Sequence, residues 1–154
     1  MGSTPESAQH VIVVGVDGSP SSRAALRWAL GQAQLDGSSI DAVAAWDYPP
    51  LSGWGLTIPG PEIEEAARLA LVDTVKQEQD STRPPVPVRQ RIEYGHPADV
   101  LLEAARGTHL LVVGSRGLGG FTGTLLGSVS RHCVEHAPCP VVVVRSTGTS
   151  TARG

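Results

Sequence analysis

The stretch that decides the fold is LLVVGSRGLGGFTGTLLGSVS, residues 110–130. Its first four residues are apolar and include two valines, which is typical of a short buried strand. A glycine-rich segment follows, and a helical pattern then resumes with Leu126, Val129 and Cys133 at positions i, i+3 and i+7. A strand, a glycine-rich loop and a helix start, in that order, present backbone N–H groups to a phosphate. The stretch therefore predicts a phosphate-binding loop.

Length and composition favour a single soluble domain. The chain has 154 residues, of which 40% are hydrophobic but only 4% aromatic, and this suits helices packed closely over a sheet. A formal net charge of -3 gives no reason to expect nucleic-acid binding. No apolar run approaches the ~18 residues of a membrane helix, and no signal-peptide pattern opens the chain. We therefore expect a cytoplasmic protein without a membrane segment.

Apolar runs alternate with helical patterns along the whole chain. Strands are predicted at residues 11–16, 40–46, 88–93, 110–114 and 141–145. Helices are predicted from residue 20 to about residue 36, over 62–79, after Pro97 and after Gly127. Ser19 is a typical N-cap, and Pro20 a typical first helical residue. The alternation predicts an α/β fold: a single three-layer αβα domain with an open five-stranded parallel sheet.

Three segments fall outside this alternation. Residues 1–9 and 147–154 are polar and patternless, and we expect mobile tails on either side of a domain of residues 10–146. Residues 47–60 hold three prolines and three glycines, which predicts a long loop that is functional or mobile. Packing is the simpler interpretation of Trp46 and Trp54 there, and a lid over a bound base is the alternative.

Familiar phosphate-binding loops do not fit this chain. A Walker A loop requires a Gly-Lys-Ser/Thr ending, and Lys76 is the only lysine in the sequence. A Rossmann fingerprint belongs after the first strand, whereas these glycines follow the fourth. The first strand runs into Asp17-Gly18-Ser19-Pro20, which is not the Ser-Gly-Gly-x-Asp-Ser run of ATP pyrophosphatases.

Residues 132–136 read HCVEH, the H-x-x-E-H pattern of inverted zinc peptidases. The two histidines share a helix face, but no third ligand is evident, and Cys133 falls on the apolar stripe. We interpret the match as chance. A partial soft-metal or redox site that includes Cys139 is the alternative.

One signature does fit, and it reads Gly114-x2-Gly117-x9-Gly127-Ser128. It resembles the nucleotide-binding signature of the universal stress protein family, and residues 11–20 and 110–144 resemble the opening and closing parts of that family. The resemblance implies a Rossmann-like sheet with strand order 3-2-1-4-5. It also implies that ATP, with Mg²⁺, binds at the carboxyl ends of strands 1 and 4.

The same resemblance implies roles for individual residues. Gly15, Val16 and Asp17 would lie against the ribose and base, with Ala45 beside the adenine. The start of the last helix would hold phosphate oxygens through N–H and hydroxyl groups, and the phosphates would hold most of the Mg²⁺ coordination. The residues expected to bind ATP are Gly15, Val16, Asp17, Ala45, Val113, Gly114, Arg116, Gly117, Gly127, Ser128, Val129 and Ser130. Simpler alternatives are a turn role for Asp17 and a solvated loop charge for Arg116.

The expected function is a nucleotide-responsive regulatory module in the stress response, not an enzyme. Apart from Asp17, which the resemblance places on the nucleoside side, no residue near the loop is an evident general base for attack on the γ-phosphate. A slow ATP hydrolase is one alternative. Another is a dimeric interaction protein with a vestigial site, or a binder of cyclic AMP or another adenine nucleotide. The resemblance also implies a homodimer formed through the last strand, whose apolar residues are Val141, Val142, Val143 and Val144.

Overall fold

The computed structural model describes residues 10–48, 59–117 and 126–146. Within them lie the strands β1 (Val11–Gly15), β2 (Ser39–Trp46), β3 (Val88–Tyr94), β4 (Leu110–Gly114) and β5 (Val141–Val144). The helices are α1 (Pro20–Asp36), α2 (Gly60–Asp80), α3 (Pro97–Ala104) and α4 (Ser128–His136). The predicted alternation of strands and helices is confirmed. The expected tails, and Trp54 in the long loop, lie outside the described residues.

The strands form one parallel sheet in the order β3-β2-β1-β4-β5, so the expected order is confirmed. β1 is the central strand, with Ile12 opposite Ile40 of β2 on one side and Leu110 of β4 on the other. The chain leaves β1 toward β2 and later returns to the opposite side of β1 as β4. The carboxyl ends of β1 and β4 therefore border the point where strand order reverses, which is where open α/β sheets bind ligands.

The side chains of β1 divide the core into two layers. Ile12 and Val14 belong to the layer beneath α1 and α2, whereas Val13 belongs to the layer beneath α3 and α4. All three are fully buried, as expected for a central parallel strand covered on both faces. The continuous β-branched run of β1 therefore reflects burial on both sides of the sheet.

An ion pair between the exposed Arg27 and the buried Glu78 ties α1 to α2. Glu78 of α2 accepts two hydrogen bonds from Arg27 of α1, from Nε at 2.9 Å and from Nη2 at 3.1 Å. The hydrogen bonds and charge of Glu78 raise the pKa of the Arg27 guanidinium. This bidentate arrangement fixes the relative position of the two helices on their face of the sheet.

The boundaries of α2 and β3 differ slightly from the predicted ones. α2 begins at Gly60 rather than at residue 62, because Pro61 suits the first turn of a helix, where its missing N–H costs nothing. β3 continues to Tyr94, whose ring packs edge-on against Trp46 with centroids 4.8 Å apart. Trp46 also packs against Tyr48, which supports the packing interpretation of this tryptophan.

Charges on the exposed edge of the sheet are paired. Arg89 and Arg91 of β3 lie 3.1 and 3.5 Å from Asp41 of β2, so both arginines form ion pairs with the neighbouring strand.

Among the helices that the structure describes, we find none with both the length and the apolarity to cross a membrane.

Gly114, at the end of β4, touches the first turn of α1. A Cβ at Gly114 would lie 2.6 Å from the carbonyl carbon of Ser21 and 2.8 Å from its oxygen. The Ser21 hydroxyl donates a hydrogen bond to the carbonyl of Arg116 and accepts one from the Arg116 N–H at 3.3 Å. This contact joins the start of α1 to the loop that follows β4.

Replacing Gly114 by alanine should destabilise the fold, because the added methyl group meets backbone rather than a movable side chain. We expect the free energy of unfolding to fall by about 1–3 kcal/mol in urea titrations. Gly31→Ala is the matched control, since an added Cβ in the middle of α1 meets nothing within 4 Å. That variant should gain about 0.5–1 kcal/mol from helix propensity. A Gly114→Ala chain as stable as the parent would contradict the contact.

Candidate functional site

A cavity of about 580 Å³ opens between the carboxyl ends of β1 and β4. This volume lies within the range of about 300–1,000 Å³ that is usual for small-molecule sites. The cavity is lined by all twelve residues for which the family resemblance implies ATP binding. Their contact with a ligand stays a prediction. The structure adds seven lining residues, which are Ser19, Ser22, Val43, Pro97, Leu101, Leu126 and Arg131.

The loops after β1 and β4 meet at this cavity. Asp17 follows β1 and Gly117 follows β4, and a Cβ at Gly117 would lie 2.6 Å from Asp17 Oδ2. Glycine at position 117 therefore lets the carboxylate lie directly against the opposite loop. The prediction that the two loops border one crevice is confirmed.

Asp17 also shapes the turn that starts α1. Its Oδ1 accepts a hydrogen bond from the Ser19 N–H at 2.9 Å, as in an Asx turn. Ser19 then caps α1, with its hydroxyl accepting from the Ser22 N–H at 3.2 Å. The turn role of Asp17 is thus present in the structure, and its contact with a ribose stays a prediction.

The start of α4 is anchored on the carbonyl of Ser115. The Gly127 N–H donates to this oxygen at 2.7 Å, and the Ser130 hydroxyl donates to it at 2.9 Å. The N–H of Gly127 and the hydroxyl of Ser130 are therefore engaged within the protein, and their contact with a phosphate stays a prediction. The N–H groups of Ser128, Val129 and Ser130 begin the helix and have no carbonyl partner within it, and Ser128 is exposed.

Positive charge collects around this helix start. The half-buried Arg116 and the exposed Arg131 both line the cavity, and Asp17 is the only carboxylate among the described lining residues. The amino end of α4 adds the partial positive charge of its dipole. Sequence reasoning missed Arg131 as a lining residue. Arg131 follows Ser128 by three positions, so the two residues share a helix face, and this spacing could have predicted that Arg131 also lines the cavity.

The wall of the cavity toward β2 is apolar. Val43 and Ala45 of β2 contribute to it, together with Pro97 and Leu101 of α3. Leu101 packs against Gly15, and a Cβ added at Gly15 would lie 2.8 Å from Cδ1 of Leu101. Sequence reasoning missed Pro97 and Leu101 because their helix reaches the cavity only through tertiary packing. The cavity thus combines an apolar wall with a cationic helix start.

The residues of the zinc-like pattern are divided between the surface and the core. His132 and His136 are exposed on α4, with ring centroids 4.5 Å apart and ring planes tilted by 44°. Cys133 is fully buried beneath them, and burial raises the pKa of its thiol to about 11. No group of three or more histidine, cysteine or acidic side chains could hold a metal ion in the part of the chain that the structure describes.

Comparison with known proteins places this architecture in a family. The family model described as the universal stress protein family matches residues 9–145. A universal stress protein of Mycolicibacterium smegmatis is 40% identical over 141 residues, which cover 87% of this chain and 45% of that protein. The chain therefore spans about half the length of the curated relatives it matches.

Solved structures agree with the sequence matches. Universal stress protein UspA from Lactobacillus plantarum superposes with a TM-score of 0.71 at 27% identity, over 89% of this chain and 98% of that one. A universal stress protein crystallised in complex with cAMP gives a TM-score of 0.70 at 25% identity, over 92% of this chain and 100% of that one. By family match, sequence identity and fold, this chain belongs to the universal stress protein family.

Proposed function

We propose that this chain is a cytoplasmic regulatory module whose state depends on a bound adenine nucleotide, ATP with Mg²⁺. The observation that carries the proposal is the cavity between β1 and β4, whose lining combines an apolar wall with the amino end of α4. An apolar wall suits a base, and a helix start suits a phosphate. The relative crystallised with cAMP supports an adenine nucleotide as the class of ligand.

The lining of the cavity fits an Mg²⁺ ion that arrives with its nucleotide. Mg²⁺ is usually bound by one or two carboxylates together with substrate phosphates rather than by an all-protein cage. Asp17 is the single acidic side chain among the described lining residues, so the phosphates would supply most of the ligands. The proposed cofactors are therefore ATP and Mg²⁺ together.

Binding rather than turnover is the proposed role of the site. Phosphoryl transfer requires an oriented water and groups that neutralise charge on the transferred phosphoryl in the transition state. Asp17, the one carboxylate among the lining residues that the structure describes, accepts a hydrogen bond from the Ser19 N–H through Oδ1. N–H groups that hold phosphates equally well in the ground state and in the transition state do not raise kcat.

Asp17 provides the first test of the nucleotide site. If its carboxylate accepts hydrogen bonds from the ribose, Asp17→Ala should weaken ATP, ADP and AMP by a similar factor, because all three carry the same ribose. Loss of a charge-assisted hydrogen bond should cost roughly 1.5–3 kcal/mol in titration calorimetry with Mg²⁺ present. Asp17→Asn is the matched variant, because it removes the negative charge but keeps an oxygen that can accept the hydrogen bond from the Ser19 N–H. Loss of ATP binding with AMP binding retained would instead place Asp17 beside Mg²⁺ and the phosphates.

Hydrolysis distinguishes the regulatory module from a slow ATPase. At saturating Mg-ATP we expect phosphate release below roughly 0.01 s⁻¹, well under the ~1 s⁻¹ at the lower end of typical enzymes. Gly127→Val is the control, because its β-branched side chain would stand where backbone approaches the ligand. A rate above about 1 s⁻¹ that disappears in this variant would make the protein an ATPase.

We further propose that two copies of the chain associate through β5. This strand is at the edge of the sheet, and its four valines are all only half-buried. An edge strand of β-branched residues is suited to pairing with another strand.

Sedimentation should therefore give twice the 16.0 kDa mass of one chain. Val142→Lys on β5 should shift the protein toward the monomer, because lysine on an edge strand opposes pairing. Val134→Lys is the matched control, since Val134 is exposed on α4 and should leave the mass unchanged. A monomeric parent protein would contradict this association.

A further inference from the structure

Arg131 lies in the first turn of α4, where the helix dipole already supplies partial positive charge. It is the fourth residue of α4, and its N–H donates to the carbonyl of Gly127 at 3.0 Å, so it completes the first turn. That first turn contains no acidic residue. A cation beside the positive end of a helix dipole is unfavourable unless an anion lies nearby. The position of Arg131 therefore favours a negatively charged ligand.

Most other arginines in the described chain have an acidic partner. Those with a carboxylate within 4.0 Å are Arg23, Arg27, Arg68, Arg89, Arg91 and Arg106. Neither Arg116 nor Arg131 makes such an ion pair among the residues that the structure describes. Arg83 and Arg145 also have no carboxylate within 4.0 Å among the described residues, so Arg116 and Arg131 are distinguished by their place in the cavity, where an anionic ligand would balance their charges.

Exposure increases from the floor of this site to its rim. Ser130 is buried, Arg116 is half-buried, and Arg131 is exposed. The backbone of Arg116 is fixed by its hydrogen bonds with Ser21, whereas Arg131 has a long side chain at the rim. Arg131 lines the cavity. Because side chains on a helix lean toward its amino end, this position favours a guanidinium beside the helix start. A chain of phosphates that begins at the N–H groups and leads outward would reach Arg131 last.

We infer that Arg131 binds a phosphate beyond the one held by the N–H groups of α4, and so selects ligands by phosphate number. The site then takes an adenine nucleotide with at least two phosphates in preference to a monophosphate or a cyclic phosphate. A guanidinium can bind phosphate oxygens in pairs, which gives this contact geometric specificity as well as charge. The inference rests on the proposed function and names the residue that sets its ligand preference.

Titration calorimetry with Mg²⁺ and ATP, ADP, AMP or cAMP tests this selection. Arg131→Gln should raise the Kd for ATP about tenfold while changing the Kd for AMP and cAMP less than about twofold, because only the longer ligands reach this side chain. Arg131→Lys keeps the charge and should restore part of the preference. Arg106→Gln is the matched control, since it removes the same charge from an exposed arginine outside the cavity. Urea titration of each variant establishes that the fold is intact.

The outcomes separate this inference from the proposed function. The selective role of Arg131 is wrong if the parent protein binds AMP or cAMP as tightly as ATP. It is also wrong if Arg131→Gln weakens the binding of all four nucleotides equally or of none. In either case the proposed nucleotide site stands. If the parent protein binds none of the four nucleotides, the proposed function itself is wrong.

Discussion

Ser21 on α1 and Gly114 on β4 approach so closely that no side chain fits between their backbones. This contact sets the distance between the first turn of α1 and the loop after β4. Because α1 begins directly after the Asp17 turn, the same contact brings Asp17 against Gly117 on the opposite side of the cavity. The geometry of the crevice therefore depends on one glycine at the end of a strand. The Ser21 hydroxyl reinforces the contact through both backbone groups of Arg116.

The features that could be predicted from the sequence are those with a local cause. A β-branched run predicts β1 because a central parallel strand is apolar on both faces. Ser19 and Pro20 predict the start of α1 because capping depends only on residues a few positions apart. The strand order and the residues of the proposed nucleotide site followed from resemblance to a family, since glycine spacing alone is compatible with several kinds of loop.

The features that escaped prediction join residues distant in the chain. Arg27 and Glu78 are 51 positions apart, and no periodicity relates them. Pro97 and Leu101 reach the cavity because α3 crosses over β1 and β2. The Ser130 hydroxyl looks like a phosphate ligand in the sequence, but the fold directs it to Ser115. The chemistry of a side chain is evident from the sequence, whereas its hydrogen-bond or ion-pair partner is determined by tertiary packing.

Ser115 connects the start of α4 with the edge of the sheet. Its carbonyl accepts from Gly127 and from Ser130, and its own N–H donates to the Val144 carbonyl at 2.8 Å. The first turn of α4 is therefore preorganised, with its donors oriented before any anion arrives. Little conformational entropy of the protein remains to be lost when an anion binds to this turn. The affinity of this turn for an anion would then be limited by the dehydration and lost motion of the anion itself, rather than by rearrangement of the turn.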